Sequence, residues 1–336
     1  MTRWFRWPAV SPMTATAIKI VLSVVAVLIV FVWALKRSGV ELGQREFLVA
    51  LMVQPLNLLS LIFIGWRVAI LAGAPVGILG GIKAATLSNT LLYVLPGRMS
   101  ELVKPIYLAD RYGIAPSKGL AALAVERFLD VIIVALAIAL GVVLVAHPSL
   151  STSLALWGPL ALAGIAGCAV VLMRPGLFAG LIRLIPGERL RAAMTAFVLE
   201  LQATMAPRRL FTALGLGLCA WSASYLMVYL LIRFNGSIAL APSAAFLVFL
   251  AGTAGLAVAV APGGLGTFET GIVLALKIHG YGTGEALVLA LLMRVSNLGF
   301  LPLIAAYVMF REGIGLSSIA DKAKALLQSG RTPPQG

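Results

Sequence analysis

Apolar runs long enough to cross a bilayer follow one another along this chain, separated by short polar breaks. A hydrocarbon core of about 30 Å needs roughly 20 apolar residues in a helix, whereas barrel strands would alternate in and out. The pattern predicts spans over residues 17–35, 47–64, 76–95, 117–146, 154–173, 210–232 and 243–260, and a last apolar run ending at Phe310. The second span is expected to end at Gly65-Trp66-Arg67, an aromatic and basic signature of a membrane interface. Two shorter pieces, 101–112 and 268–278, come after Pro96-Gly97 and Pro262-Gly263, where the helix must break. Gly77, Gly80, Gly81, Ala84 and Ala85 give the third span a small-residue face for close helix packing. Leu190, Met194, Phe197, Val198, Leu201 and Met205 recur at helical spacing opposite Arg191, Thr195, Glu200 and Gln202. That predicts an amphipathic helix within 176–206, lying on the membrane surface or against the bundle.

Composition sharpens this picture. The chain is 61% hydrophobic and 11% charged, with a mean hydropathy of +1.03; a soluble domain carries about 25% charged residues. The net charge of +14 would suggest nucleic acid in a soluble protein. Here the Lys and Arg gather at loops and termini as positive-inside bias, so no nucleic-acid partner is expected. Residues 174–209 hold Arg174, Arg183, Arg189, Arg191, Arg208 and Arg209 and are expected in the cytoplasm, whereas 147–153 and 234–242 are uncharged and expected outside. The first apolar run lacks a small-x-small cleavage site before Lys36 and reads as a retained span rather than a signal peptide. Cys168 and Cys219 fall inside apolar spans and are expected to be packed free thiols. Trp4, Trp7, Trp66, Trp157 and Trp221 read as interface anchors. His147 and His279 have no helical partner, no nucleophile–base pair stands out and no phosphate loop exists, so no metal, cofactor or enzymatic activity is expected.

Residues 88–130 depart from the apolar background. Arg98, Glu101, Lys104, Asp110, Arg111, Lys118, Glu126, Arg127 and Asp130 are packed into that one reach. A charge at the bilayer centre costs roughly 2.5–3.5 kcal/mol on insertion scales, so it faces protein or water. A broken helix with balanced charge points to a polar cavity inside the membrane.

The second half echoes the first. Pro96-Gly97 matches Pro262-Gly263, Glu101 matches Glu269, and GLAALAVERFLD aligns with EALVLALLMRVSN, which sets Arg127 on Arg294 and Asp130 on Asn297. Three residues apart on a helix, Arg127 and Asp130 share a face, as do Arg294 and Asn297, and each pair is expected to satisfy itself. Chance likeness in Ala/Leu-rich sequence is the competing explanation. The charge bias runs the first unit from inside to outside and the second from outside to inside. That is the sense of inverted repeats around a midplane site. Full crossing and re-entry of the two short pieces give the same parity, and both stay open.

Asn89, LPGRMSE (95–101), ERFLD (126–130) and PGGLGTFE (262–269) together resemble the lysylphosphatidylglycerol synthase transmembrane-region family, also called flippase-like. The likeness runs along nearly the whole chain. It implies a role in moving lipids between leaflets of a bacterial inner (plasma) membrane, with a lipid-synthesising enzyme as a partner to work beside; the charge bias of loops and tail sets both termini in the cytoplasm. Some members carry a soluble aminoacyl-transfer domain; with about 25 residues after Phe310, that activity is not expected here.

The expectation is therefore an all-α, polytopic helical membrane protein of inverted repeats, each with two plain spans and a broken or re-entrant helical core. Residues 1–153 form the first repeat, 154–316 the second, and 317–336 a cytoplasmic tail. A lipid translocase would bind a polar or anionic headgroup through Asn89, Arg98, Glu101, Lys104, Glu126, Arg127, Asp130, Gly263, Gly264, Glu269, Arg294 and Asn297. Arg98, Glu101, Arg127, Glu269 and Arg294 are expected to line one central cavity. The competing readings are a membrane-embedded enzyme or accessory subunit that modifies a glycolipid or polyprenyl lipid, and a small-solute transporter.

Overall fold

The structure, a computed structural model, describes residues 44–95, 99–144, 182–183, 187–236, 238–258 and 261–315. The predicted spans 17–35 and 154–173, the loop 147–153, Arg98 with its Pro96-Gly97 break, Cys168 and the tail lie outside the described residues. Within them the protein is all-helical. Among the described residues three stretches, 44–72, 207–234 and 283–312, are long and apolar enough to cross a membrane.

Helices α1 (Gln44–Met52) and α2 (Gln54–Ala72) form one apolar rod with a bend at Val53. Pro55 lies in the first turn of α2, where its missing N–H costs nothing. The sequence places the end of this span at Ile64, but α2 continues through Arg67 to Ala72 and stops at Gly73 (φ 79°). Arg67 does not surface at an interface: it is 3% exposed, and its charge is matched inside the bundle. The chain continues through α3 (Gly77–Leu91), a 3-10 turn Met99–Leu102, α4 (Val103–Tyr112) and α5 (Pro116–Leu144). Then come α6 (Glu188–Thr204), α7 (Pro207–Asn235), α8 (Pro242–Ala257), a 3-10 turn Pro262–Gly264, α9 (Thr267–Ile278), α10 (Thr283–Leu298) and α11 (Leu301–Glu312).

Lipid tails offer no hydrophobic gain for packing apolar helices together, so close backbone approach and polar contacts hold such a bundle. Helices α2 and α3 cross where Gly65 meets Gly81; a Cβ on Gly81 would strike the Gly65 carbonyl oxygen. Gly77, expected on the same face, takes no part, since a Cβ there would meet nothing. Helices α2 and α7 run antiparallel. Arg67 lies by Gly217 at one end, and the Ser60 hydroxyl reaches the Ala220 carbonyl (3.1 Å) and the Ser224 hydroxyl (2.9 Å) midway.

One buried cluster joins α1 and α7 to α8, α9 and α10 through residues such as Val53, Met227, Val248, Ile272 and Leu289. A second joins α2, α3 and α4 to α11 through Ala72, Leu87, Leu91, Val103, Leu108 and Val308. The end of α11 is further tied by Glu312 to Lys83 (2.7 Å) and Arg111 (3.3 Å). The amphipathic helix takes the second of its two expected positions. Leu201 and Met205 pack on Leu71, Ala121 and Val125 of the bundle, while Leu190, at its other end, is 40% exposed. Cys219 is a free thiol but an exposed one, not the packed residue expected.

The order of elements after α2 recurs after α7: a helix, a break, a 3-10 turn, a short helix, a glycine turn (Gly113, φ 62°; Gly280, φ 84°) and a longer helix. At 1.5 Å per residue, α4 and α9 rise only about 15 and 18 Å, roughly half the hydrocarbon thickness. The two breaks touch: the Gly263 N–H donates to the Leu92 carbonyl at 2.8 Å.

Candidate functional site

The charges of the ERFLD block are gathered by one carboxylate oxygen. Glu126 Oε1 accepts from Lys104 Nζ on α4 (2.5 Å), Arg127 Nη2 on α5 (2.7 Å) and Arg67 Nη2 on α2 (3.1 Å). Asp130, one turn along α5, takes the remaining reach of both guanidinium groups, Arg67 Nη1 at 2.7 Å and Arg127 Nη1 at 3.3 Å. Arg127 and Asp130 thus form the expected pair, inside a larger network. Glu101 lies 3.7 Å from Arg127 Nε. Burial of such charge is tolerable only because each sign is matched and hydrogen-bonded.

This network lines a cavity of about 260 Å³ at the middle of the bundle. Arg67, Lys104, Glu126, Arg127 and Asp130 form its charged wall. Small neutral polar groups face them: Ser60 on α2, Asn89 on α3, Ser224 on α7, Thr253 on α8 and Asn297 on α10. Trp221 and Phe249 form part of an aromatic wall. The lining carries three cations against two carboxylates. The cations differ in access: the side chains of Arg67 and Lys104 are 3% and 5% exposed, that of Arg127 39%.

The second half of the expected site is built differently. Arg294 was expected to pair with Asn297, but its Nε binds Glu269, and Nη1 and Nη2 donate to the carbonyls of Gly263 (2.7 Å) and Gly264 (3.2 Å). The other Glu269 oxygen accepts from the Gly266 N–H at 2.9 Å and caps α9. Phe268 and Tyr93 rings lie 5.0 and 5.9 Å from the guanidinium. Glu269 and Arg294 are therefore engaged with one another and with the broken backbone. The cavity takes Phe268, Met293 and Asn297 from this region instead. The reason is backbone chemistry: a break leaves carbonyls that hydrocarbon cannot satisfy, and a planar five-donor group beside it satisfies two at once. Gly263 and Gly264 serve by conformation, at φ 62° and 63°.

A family model described as the lysylphosphatidylglycerol synthase TM region matches residues 16–306, which takes in every residue of the site just described. The chain belongs to this family. It is a multi-pass integral membrane protein of a family linked to lipid modification or translocation. No curated protein and no solved structure matches the chain. Of the residues expected at the site, Asn89, Lys104, Glu126, Arg127, Asp130 and Asn297 are brought together at the cavity, and Glu101 reaches it through Arg127. Glu269, Arg294, Gly263 and Gly264 instead hold the second break. Arg67 and Trp221, both at the cavity, were assigned elsewhere by the sequence reading. Arg67 looked like an interface residue beside Trp66, although Ser60, Ile64 and Arg67 share one stripe of α2. Trp221 looked like an interface anchor, yet it walls the cavity.

Proposed function

We propose that the protein is a lipid translocase in which the polar headgroup of a membrane lipid occupies the charged cavity while its chains stay in the bilayer. The observation that carries this reading is a matched but unevenly buried charge network facing open polar space inside a membrane protein. Structural ion pairs need no cavity beside them. Arg127 is the group placed to bind: its guanidinium is held by Glu126, Asp130 and Glu101 and remains the most open of the three cations. A guanidinium fork suits the oxygens of a phosphate or similar anion. Ser60, Ser224, Thr253, Asn89 and Asn297 offer hydroxyl and amide partners to the rest of a hydrophilic headgroup. Arg67 Nε and Arg127 Nε have no hydrogen-bond acceptor among the described residues.

The recurrent order of elements, the contact between the breaks and the half-bilayer lengths of α4 and α9 support inverted repeats with re-entrant cores. In that arrangement Ala74, before the first broken unit, and Ala239, before the second, face opposite sides of the membrane; both are exposed. Cysteines introduced at each, in a Cys168→Ala/Cys219→Ala background, are expected to react with an impermeant reagent from opposite sides. Labelling from the same side would end the inverted-repeat reading. For the site, mass spectrometry of protein purified in mild detergent is expected to find a retained lipid with an anionic headgroup. Arg127→Lys should lose that lipid without a change in melting temperature. Retention unchanged by the substitution would place the lipid elsewhere.

A further inference from the structure

Beside the charged cavity lies a second, apolar one of about 340 Å³ between α5, α7 and α8. The two share Trp221 and Phe249, whose rings meet edge to face at 5.8 Å and 84°. On one side of this pair stand Arg127 and Asp130, on the other Ile133 and Leu136. The change of polarity happens within one turn of α5, between Asp130 and Ile133. The same switch occurs along α8, where Thr253 faces the polar cavity and Phe246 the apolar one. The groove has a firm floor, since Tyr225 packs edge to face on Phe246 (5.1 Å) and anchors its hydroxyl on the Pro242 carbonyl (2.8 Å). Its rim is open: Leu136, Leu140 and Leu218 are 45%, 52% and 41% exposed. In a protein that spans a bilayer, an apolar groove whose rim is exposed on transmembrane helices faces hydrocarbon.

We infer that this groove is an acyl-chain subsite: it holds one hydrocarbon chain of the same lipid whose headgroup enters the charged cavity, with Trp221 and Phe249 as the partition where headgroup gives way to chain. The inference rests on the translocase reading and adds where the lipid enters, between α5 and the α7–α8 pair. The occupant follows from continuity, because a groove that opens to hydrocarbon at one edge and abuts a headgroup-sized polar space at the other matches an amphipathic lipid. The aromatic floor offers flat contact to a flexible chain without demanding a particular length or branching. A further consequence is coupling: weakening the headgroup contact at Arg127 should empty the groove as well.

The test uses the full chain in phosphatidylcholine vesicles with a phosphatidylglycerol probe carrying a diazirine on one acyl chain. After irradiation, labelling is expected to concentrate at Ala137, Trp221 and Phe249, to saturate with probe, and to be displaced by unlabelled phosphatidylglycerol. Ala137→Phe, which fills the groove, should lower that labelling about tenfold, the effect of losing burial of roughly two methylene groups. Arg127→Lys should lower it too, whereas Leu303→Ala on α11 should not. Labelling that rises in proportion to probe, is not displaced, and matches that at Leu303 would show bulk lipid only and overturn the subsite. So would cross-links from the groove to a second copy of the chain. Should Ala137→Phe fail to fold, displacement on the wild-type protein still decides. Unsaturable labelling together with wild-type lipid transfer that is sensitive to Arg127→Lys would remove the groove and leave the translocase standing. Absence of any transfer by the wild type would remove the translocase itself.

Discussion

Glu126→Ala is expected to eliminate nearly all folded protein. One oxygen of this carboxylate is shared by Lys104, Arg127 and Arg67, and its side chain is 3% exposed. Breaking a single buried pair costs about 3–5 kcal/mol, because the partner is left charged and dry. Here three cations drawn from three helices would face one another, with Asp130 alone among the cavity-lining carboxylates to balance them. Lys104 is the cation with the fewest other contacts, since Arg67 and Arg127 also reach Asp130. The double variant Glu126→Gln/Lys104→Met should therefore recover folded protein that Glu126→Gln alone loses, with a coupling of at least about 1 kcal/mol in the cycle. Fluorescence-detected gel filtration and melting of the four proteins read this directly. A Glu126→Ala protein that melts with the wild type would show that the convergence on this oxygen carries no weight.

Arg294 should prove nearly as sensitive, through a different mechanism. Its guanidinium neutralises Glu269 and satisfies the carbonyls of Gly263 and Gly264 at the second break. Arg294→Met removes all three contacts and leaves a carboxylate and two carbonyls without them, a loss of about 3–5 kcal/mol for the ion pair alone. Arg294→Lys should restore little, because one ammonium cannot present donors in the plane that Glu269 and both carbonyls require. Asn297→Ala should be mild, since Arg294 does not depend on it. A melting series in detergent separates these outcomes. Equal damage from Asn297→Ala and Arg294→Met would restore the pairing that the helical spacing suggested.

That contrast shows where the sequence was legible. Charges surrounded by hydrocarbon announce themselves, so Lys104, Glu126, Arg127 and Asp130 could be placed at a polar site before any coordinates. Short-range pairing was legible where the partners lie on the same turn, as for Arg127 and Asp130. It misled for Arg294, whose stronger partner lies on another helix and whose remaining donors answer a backbone break that no residue type advertises. Arg67 was obscured by position: a basic residue next to a tryptophan near the end of an apolar run looks the same whether the helix stops there or continues. Ser60, Ser224 and Thr253 give almost no signal, because a single hydroxyl in a membrane helix commonly turns back to its own backbone, as Thr253 also does to the Phe249 carbonyl. Helix order, by contrast, was legible across the described residues. Membrane thickness and the demand that every backbone group be satisfied leave few alternatives.

The central claim is that the charged cavity takes a lipid headgroup during transfer between leaflets, and leaflet-resolved transfer in reconstituted vesicles tests it most directly. Vesicles of phosphatidylcholine holding labelled phosphatidylglycerol in one leaflet are to be followed with wild-type protein, Arg127→Lys and the lipid-facing control Leu303→Ala, each matched for folded amount and melting temperature. Wild type and Leu303→Ala are expected to move the anionic lipid at the same rate. Arg127→Lys should be slower by at least about tenfold, equivalent to roughly 1.4 kcal/mol of lost headgroup contact. Transfer by Arg127→Lys at the wild-type rate, with folding unchanged, would contradict the account and leave the cavity's charges as struts of the fold.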